Sequence, residues 1–512
     1  MTSQQSVDGM HSYKNQPGKI PVFLLIAMLL LPLFFINVKD SHNWSGDFAL
    51  YILQAKNLVE GKPQTTTGYI FNEQCFLPSP QTYPVGFPIL LSPFYVLFGN
   101  NILAFSYLIS FVLFLLGLAL YYFFRGHFSP AISGGALLLI VYNPWTLSFK
   151  GEILADIPFA LFMMLAVIGF EKLDPNRKIF LQSLRLGALV AVTMLMKSVG
   201  VVLLFSILAD SMLRIVKKMF AGKKNDAGNI VGLLLAAAGS AILFYAAIAF
   251  LLIPSAKEPL PYYQSLYSFR DPLNLMVSGL LHYIGEFRGF FYLGGSVGKI
   301  LAGTTIVLAT LLMVIGFFKK CLKSPAMPEW LAATYTFLIL AFPTTNQGFR
   351  YIFPILPLYI YYTVIGARTL PWPGKIHANH VLALITMLCL LHYPLGILHI
   401  LRDQDKIAIG PQEKQSQEAF RYIKENTPPD AVIAFRKATV LPLYTDRRSI
   451  GSNRPDQNIE SLAAKFSQVG VRYYLINAAL DDPGLERFLS AYQEKVRMVW
   501  TNDKFTLYEN IE

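Results

Sequence analysis

The sequence has 512 residues, of which 54% are hydrophobic and 14% are charged, and its formal net charge at pH 7 is +12. Soluble domains carry about 25% charged residues, so this composition excludes a protein that is soluble as a whole. Lys and Arg lie in short loops between long apolar runs, which is typical of a membrane protein and does not indicate nucleic-acid binding. The three cysteines, Cys75, Cys321 and Cys389, lie in different segments and predict neither a disulfide framework nor a metal site.

Apolar runs fill the chain up to about residue 400 and predict a polytopic α-helical membrane protein. The first run, 20–38, follows Lys14 and Lys19 and lacks a signal-peptide cleavage site, so we predict an uncleaved span with a cytoplasmic N-terminus. Alternate loops after it are basic, and an odd number of spans places the C-terminus outside. We predict about eleven spans, at residues 20–38, 101–124, 130–148, 157–173, 183–196, 198–213, 229–253, 297–318, 329–343, 351–368 and 378–399.

The first predicted outer loop, residues 39–100, collects several polar side chains. Asp47 belongs to the sequence S-G-D-F-A-L-Y-I-L-Q-A-K-N-L-V-E-G, soon after the first span. An acid beside hydrocarbon is costly, which favours a functional role, although a helix cap is the structural alternative. The stretch 84–98 is apolar but rich in proline, so we predict an interfacial or re-entrant segment. Other polar candidates in this loop are Tyr51, Lys56, Glu73 and Tyr83.

The second outer turn reads K-G-E-I-L-A-D-I-P-F and contains two acids. Glu152 and Asp156 are four residues apart, so on a helix they would share one face and repel each other. A cation, a hydrogen-bond donor or a ligand between them would relieve this cost, whereas ordinary solvation at the interface is the alternative. Four cations near the outer ends of spans are candidate partners. The alternatives are snorkelling for the first, interfacial anchoring for the last, and plain loop charges for the two between them. They are Lys197, Arg270, Arg288 and Arg350, the last followed by Tyr351.

From about Arg402 the charges become dense and short patterned elements alternate. The patterns predict helices at 413–426, 459–469 and 484–495, and strands at 431–435, 471–476, 496–500 and 505–509. Arg447 and Arg448 have the pattern of surface charges. We therefore predict two domains, a membrane domain at 1–400 that includes the first outer loop, and an extracytoplasmic α/β domain at 401–512.

Four motifs together resemble the GT-C superfamily of membrane glycosyltransferases, in the bacterial branch related to protein O-mannosyltransferases and the lipid A aminoarabinose transferase. Two are the acidic motifs given above. The others are Y-P-V-G-F-P-I-L-L-S-P-F-Y-V-L-F-G from Tyr83 and R-Y-I-F-P-I-L-P-L from Arg350. The likeness covers most of the chain, and the motifs are short. Two positions depart from it, because related chains often have proline at Val85 and arginine at Lys197.

The resemblance implies an inverting transfer of a sugar from a polyprenyl-phosphate donor to an extracytoplasmic acceptor, at a bacterial inner membrane. Asp47 matches the general base of such enzymes, and Glu152 and Asp156 match acids that line the same cavity. Positive side chains would stabilise the departing phosphate. We assign substrate binding to Tyr51, Lys56, Glu73, Tyr83, Lys197, Arg270, Arg288, Arg350 and Tyr351.

The expected partners are the lipid-linked sugar donor, membrane lipids and an acceptor that is a lipid, a glycan or a protein. No cofactor is required by this chemistry, although Asp47, Glu152 and Asp156 together offer the oxygen ligands that Mg²⁺ or Mn²⁺ prefers. The main alternative is a transporter or flippase of polyprenyl-linked lipids. Such proteins place ionisable groups near the bilayer midplane and in repeated halves, whereas here the charges lie at the ends of spans. An accessory protein that only binds through its outer domain is a further alternative.

Overall fold

Helices make up most of the described chain before residue 404. The structure is a computed structural model that describes residues 19–511 except 74, 76, 175–177, 222–225, 253–271, 291–294, 343–347, 375–376 and 453–457. The first ten helices are α1 (Lys19–Leu30), α2 (Asp47–Val59), α3 (Gly86–Phe98), α4 (Ile102–His127), α5 (Pro130–Val141), α6 (Pro144–Lys150), α7 (Asp156–Glu171), α8 (Ile179–Met196), α9 (Val201–Ala221) and α10 (Asp226–Leu252). The next are α11 (Pro272–Phe290), α12 (Gly295–Lys323), α13 (Met327–Leu340), α14 (Phe349–Ile352), α15 (Leu356–Thr369), α16 (Ala378–Leu390) and α17 (Tyr393–Asp403).

Six stretches of the described helices are long and apolar enough to cross a membrane. They are Ile102–His127, Ile179–Met196, Ser198–Lys217, Asn229–Leu251, Ile300–Lys323 and Ala378–Asp403, and the bent pair of α5 and α6 makes a seventh if it forms one span. Four other predicted spans correspond to α1, α7, α13 and α15, which have 12 to 16 residues, fewer than the roughly 20 that cross a bilayer. The fold is thus that of a helical membrane protein, while the number of spans and their orientation stay predictions.

Several basic helix ends lie together at one end of the helical unit, which we call the basic end. The side chains of His127 and Glu171, at the ends of α4 and α7, are 3.1 Å apart. The Arg368 guanidinium, in the last turn of α15, lies 5.1 Å from the centre of the Phe128 ring. The basic residues of this end include Arg125, His127, Lys172, Lys320 and Arg368. Since α7 begins at Asp156, that acid lies at the opposite end of the same helix.

Two glycines allow α12 and α15 to pack closely. A Cβ on Gly316 would lie 2.0 Å from the carbonyl oxygen of Tyr362, and a Cβ on Gly366 would lie 1.8 Å from that of Leu312. No side chain fits at either position, because atoms at these distances overlap. The close contact holds α15, the helix that follows Arg350, against α12.

A six-stranded sheet with helices around it forms the C-terminal unit. Its strands are β1 (Tyr69–Ile70), β2 (Val432–Phe435), β3 (Arg448–Ile450), β4 (Val471–Asn477), β5 (Val496–Thr501) and β6 (Phe505–Asn510). The order across the sheet is β1-β3-β2-β4-β6-β5. The neighbouring pairs β1–β3, β3–β2 and β2–β4 are parallel, whereas β4–β6 and β6–β5 are antiparallel. The helices are α18 (Lys414–Asn426), α19 (Leu441–Thr445), α20 (Ile459–Val469) and α21 (Pro483–Ala491).

Most elements predicted for residues 401–512 are confirmed, and the differences have local causes. The helix at 459–469 has the predicted bounds, whereas the one predicted at 484–495 ends at Ala491 and continues as a 3-10 turn. The short strand β3 was not predicted, and neither was β1 in the first outer loop, because strands of two or three residues give no measurable alternation. The expectation of a surface charge at Arg447 is wrong, since its side chain is buried and donates to Thr427 Oγ1 at 3.1 Å.

Candidate functional site

Asp47 is the first residue of α2, where the helix dipole favours a negative charge. Its two carboxylate oxygens have different partners. The Tyr83 hydroxyl donates to Oδ1 at 2.6 Å, and Arg350 Nη1 donates to Oδ2 at 2.6 Å. The Asp47 side chain is 25% exposed, so it remains open to a ligand although it is anchored on both sides.

Asp156 is the first residue of α7 and is fully buried. Lys197, which follows the last residue of α8, donates to its Oδ1 at 2.5 Å. Arg350 Nε donates to its Oδ2 at 2.9 Å, so one guanidinium joins Asp156 to Asp47. We call Asp47, Asp156, Lys197 and Arg350 the charge cluster. Its two acids and two bases cancel, which reduces the cost of holding them in a partly buried place.

Aromatic side chains surround the charge cluster. Lys197 Nζ lies 5.2 Å from the centre of the Tyr351 ring, within cation–π range. Tyr51, on α2, packs edge-on against Tyr83 at 5.0 Å and against Phe87 at 4.8 Å between ring centres. Burial and the adjacent Asp47 carboxylate hold the pKa of the Tyr83 phenol well above its usual value, so Tyr83 is a neutral hydrogen-bond donor.

Close backbone packing places the elements that carry these residues. The residue before α14 is Gly348, whose φ of +50° lies in the region that favours glycine, and Arg350 follows on this short helix. A Cβ on Gly86 would lie 2.6 Å from the carbonyl carbon and oxygen of Leu195. The start of α3 therefore packs directly on the last turn of α8, next to Lys197.

Glu152 lies apart from Asp156 and has its own partners. The expectation of a shared helix face is wrong, because α6 ends at Lys150 and α7 begins at Asp156, so the two acids are not on one helix. Asn43 Nδ2 donates to Glu152 Oε1 at 2.6 Å, and His42 Nε2 lies 3.2 Å from Oε2. The His42 ring is buried and stacks on Phe48, and burial lowers its pKa against the opposing effect of Glu152.

Neither His42 nor Asn43 was predicted as a site residue. The available signal was weak, since it consists of a histidine five residues before Asp47 in an outer loop. A buried histidine beside a carboxylate becomes visible only when Glu152, more than one hundred residues later, is placed next to it. The contact between His42 and Glu152 is therefore known only from the structure.

Not all predicted substrate-binding residues meet at the charge cluster. Five of them lie at or around it, namely Tyr51, Tyr83, Lys197, Arg350 and Tyr351. Lys56 instead binds Asp446 Oδ1 at 2.9 Å, and Glu73 is exposed in a turn after β1. Arg288 belongs to α11 but its side chain lies outside the described part of the chain, and Arg270 lies outside the described residues altogether.

Lys150 is the first residue of the second predicted outer turn, where an exposed charge is expected. The structure places it elsewhere. Its side chain is fully buried, and its Nζ donates to Ser110 Oγ at 2.8 Å and to the Asn37 carbonyl at 3.3 Å. These bonds join α6 to α4 and to the end of the first apolar segment. The residue therefore links these three segments.

The C-terminal unit binds the segment 41–46 that leads into Asp47, first through hydrogen bonds. The Ala408 amide donates to Ser41 Oγ at 2.9 Å, and the His42 amide donates to Gln412 Oε1 at 2.9 Å. A Cβ on Gly410 would lie 2.0 Å from the His42 carbonyl oxygen, so only glycine permits this approach. The backbone before Asp47 is thus fixed by residues that come more than 360 positions later.

Trp44 extends this contact into the core of the C-terminal unit. Its side chain is buried, and its ring centre lies 5.9 Å from that of Phe435, 6.2 Å from Phe505 and 6.3 Å from Phe420. These three rings come from β2, β6 and α18. The tryptophan therefore anchors the segment three residues before Asp47 in an aromatic pocket.

The positions of Asp47, Glu152 and Asp156 determine whether the three acids could share one metal ion. Within the described ranges, no group of three or more His, Cys, Asp or Glu side chains is placed to hold a metal ion. Asp47 and Asp156 have a guanidinium between them, and Glu152 is bound to Asn43. The three acids do not fit a shared metal in this arrangement, so we derive no chemical step through one.

Comparisons with known proteins give structural matches only. No protein-family model and no curated protein matches the sequence. The structure of ArnT from Cupriavidus metallidurans bound to undecaprenyl phosphate is 12% identical, with a TM-score of 0.58 over 97% of this chain and 99% of that chain. The apo structure of the same protein has a TM-score of 0.59 over 96% of this chain and 98% of that chain, again at 12% identity.

A second structural neighbour is the oligosaccharyltransferase AglB from Archaeoglobus fulgidus, in complex with an inhibitory peptide and a dolichol-phosphate. It is 13% identical, with a TM-score of 0.54 over 90% of this chain and 69% of that chain. At these identities the likeness concerns the fold. The resemblance predicted from the four motifs is confirmed at that level.

Proposed function

We propose that this chain, whose fold is that of the GT-C superfamily of membrane glycosyltransferases, transfers a sugar from a polyprenyl-phosphate donor to an extracytoplasmic acceptor. The observation that carries the proposal is the charge cluster, in which a partly exposed acid, Asp47, lies directly beside Arg350, with Lys197 close by. The acid suits proton removal from an acceptor, and the cations suit a phosphate leaving group. The acceptor is a lipid, a glycan or a protein.

The transfer follows from the roles of these groups. The acceptor oxygen or nitrogen attacks the anomeric carbon and forms the new bond, while the bond from that carbon to the phosphate oxygen breaks. Asp47 takes the proton of the acceptor, a contribution typically worth about 10²–10⁴-fold in rate. Polyprenyl phosphate departs with the bonding electrons, and Arg350 and Lys197 stabilise its added charge. A single displacement inverts the anomeric carbon.

The present partners of Asp47 support a coupling between donor binding and base strength. Arg350 holds Asp47 through Nη1 and Asp156 through Nε. An arriving phosphate would compete with the Asp47 carboxylate for the guanidinium, which would leave that carboxylate free to accept a proton. Asp156, buried and bound by two cations, would keep Arg350 and Lys197 in place during the exchange. We therefore assign Asp156 a positioning role.

Two further parts of the proposal concern the lipid and the place of the reaction. Undecaprenyl phosphate is bound in the ArnT structure and a dolichol-phosphate in the AglB structure, which supports a polyprenyl lipid for this chain. Basic loops at the end opposite Asp156 support an active site on the outer face of a bacterial inner membrane.

The first experiment measures free polyprenyl phosphate released from a panel of polyprenyl-phosphate sugars by membranes that carry the protein. We expect release by the wild type and by Asp40→Asn, an exposed acid of the same loop, and release at least about 100-fold slower by Asp47→Asn. Each protein is quantified in its folded form by size-exclusion chromatography. A parallel reaction with a chelator tests the divalent-metal prediction, and we expect release to continue.

Each contrary result has a distinct meaning. Release at the wild-type rate by Asp47→Asn would reject Asp47 as the base and keep the transfer. If the wild type releases no polyprenyl phosphate but moves a labelled polyprenyl lipid across vesicles, the protein is a flippase and the proposal is wrong.

A further inference from the structure

A large apolar cavity lies among the helices away from the charge cluster. Its volume is about 730 Å³, and it lies between α5, α15 and α16, with Ala309 of α12 also contributing. It extends along α5 from Ser129 to Leu139, a length of about 15 Å at the helical rise of 1.5 Å per residue. Small residues such as Gly135, Ala136 and Ala383 provide the space. The cavity has the length and polarity that suit an aliphatic chain.

One end of this cavity, which we call its mouth, lies at the basic end. The exposed residues Ser129 and Asn379 line the mouth and lie at the starts of α5 and α16. Phe128, the residue before Ser129, is flanked by two arginines: Arg125 Nη1 donates to its carbonyl at 2.6 Å, and Arg368 lies over its ring at 5.1 Å. The carboxylate of Glu171 at this end is paired with His127 at 3.1 Å.

We propose that this cavity is a binding site for one anionic diacyl phospholipid, with the phosphate at Arg125 and Arg368 and an acyl chain between α5, α15 and α16. Basic residues at the mouth of an interhelical cavity attract anionic headgroups, and the starts of two helices add positive potential there. The proposal does not depend on the transfer reaction.

The position of the mouth argues against the polyprenyl donor as the occupant. The basic end and Asp156 are separated by the length of α7, which has 16 residues, or about 24 Å. A phosphate bound at Arg125 would therefore lie far from Asp47 and could not react there. We therefore assign the cavity to a structural phospholipid of the surrounding bilayer.

The test measures lipid bound to the full-length, delipidated protein in detergent, re-isolated after incubation with equimolar dioleoyl-phosphatidylglycerol and dioleoyl-phosphatidylcholine. We expect the wild type to retain phosphatidylglycerol in preference to phosphatidylcholine. The double variant Arg125→Gln with Arg368→Gln should bind it about 30-fold more weakly, since each cation near an anionic headgroup contributes about fivefold. Ala383→Trp should remove the binding by filling the cavity.

Two matched controls should bind like the wild type. Arg185→Gln removes an exposed arginine of α8, and Leu384→Trp enlarges an exposed neighbour of Ala383 that does not line the cavity. Raising the salt from about 0.1 to about 1 M, which shortens the Debye length from about 10 to about 3 Å, should weaken retention by the wild type. This last measurement needs no variant, so retention that salt does not weaken would overturn the proposal even if a variant does not fold.

Three further results would also overturn the proposal. They are equal retention of the two phospholipids by the wild type, unchanged binding by Ala383→Trp, and displacement of phosphatidylglycerol by an equal concentration of undecaprenyl phosphate. The third would identify the polyprenyl lipid as the occupant.

Discussion

At the scale of single residues, the charge cluster depends on the shape of the Arg350 side chain. Nε donates to Asp156 and Nη1 donates to Asp47, so one planar group spans two acids from different helices. A lysine ammonium carries the same charge but has one nitrogen on a flexible stem. The identity of this cation matters as much as its charge.

We predict that Arg350→Lys lowers the rate of polyprenyl phosphate release by about 10²–10³-fold. The variant loses one hydrogen-bond donor to the charge that develops on the phosphate, and one of the two bonds that hold Asp47 and Asp156 in place. The control is Lys197→Arg, which keeps a positive charge beside Asp156. We expect this variant to retain most of the activity. A wild-type rate for Arg350→Lys would mean that charge alone suffices.

A second prediction concerns Asp482, a buried acid that caps α21 by accepting from the Leu485 amide at 3.3 Å. Burial raises its pKa from about 3.8 to about 6. The folded state therefore favours the protonated acid, and the cost of ionisation is absent below about pH 4 and complete above about pH 6. Asparagine caps helices equally well and carries no charge.

Asp482→Asn should therefore stabilise the protein by about 1–2 kcal/mol at pH 8, with little gain at pH 4.5. Thermal unfolding of the purified protein at the two pH values measures the difference. The exposed neighbour Asp481 provides the control, because Asp481→Asn should change neither curve. An equal gain for Asp482→Asn at both pH values would contradict the role of ionisation.

At the scale of elements, the segment 41–46 and α2 act together. The C-terminal unit binds this segment through Gln412, Gly410 and the pocket around Trp44. Since Asp47 immediately follows the segment, a shift of Trp44 would move the carboxylate relative to Arg350. Displacements of about 1 Å can cost about 100-fold in rate.

We predict that Trp44→Ala lowers kcat about tenfold or more and leaves KM for the donor nearly unchanged, because the cations that bind phosphate are not attached to this segment. Trp44→Phe should restore much of the rate by refilling the pocket. Trp500→Ala is the matched control, since that ring stacks on Tyr422 instead and has no contact with Trp44 among the ring pairs described. An equal loss of kcat in Trp500→Ala would indicate general destabilisation.

At the scale of the whole molecule, the two predicted domains share structure. The edge strand β1 comes from the first outer loop and pairs with β3 of the C-terminal unit. Asn72 Nδ2 donates to the Gly451 carbonyl at 2.9 Å, and Lys56 binds Asp446 at 2.9 Å. The boundary at residue 401 stays a prediction, and the outer loop is built into the unit beyond it.

We predict that a chain ending at residue 405 does not form a monodisperse protein, because β1 loses its partner and Trp44 loses its pocket. Size-exclusion chromatography of detergent extracts measures this. A chain ending at Asn510, the last residue of β6, is the control and should elute like the full protein. A well-behaved truncated protein with an intact charge cluster would show that the membrane unit folds alone.

The sequence predicted the individual polar residues better than their partners. Four polar residues were predicted as site residues, because polar groups at the ends of apolar runs cost free energy beside hydrocarbon. They are Asp47, Tyr83, Lys197 and Arg350. Their grouping could not be read, since Lys56 and Lys197 are equally plausible partners of an acid until the fold selects one. Glu152 and Asp156 show the same limit, because a break in the helix between them sends each to different neighbours.

Local patterns were enough to predict the membrane class, the basic loops and most elements after residue 401, because hydropathy and periodicity are properties of neighbouring residues. The folded chain was needed to show that Asp47, Asp156, Lys197 and Arg350 form one cluster, that His42 meets Glu152, and that β1 joins the C-terminal sheet. These contacts join residues about 40 to 380 positions apart, and no local pattern encodes which distant partner a side chain will meet.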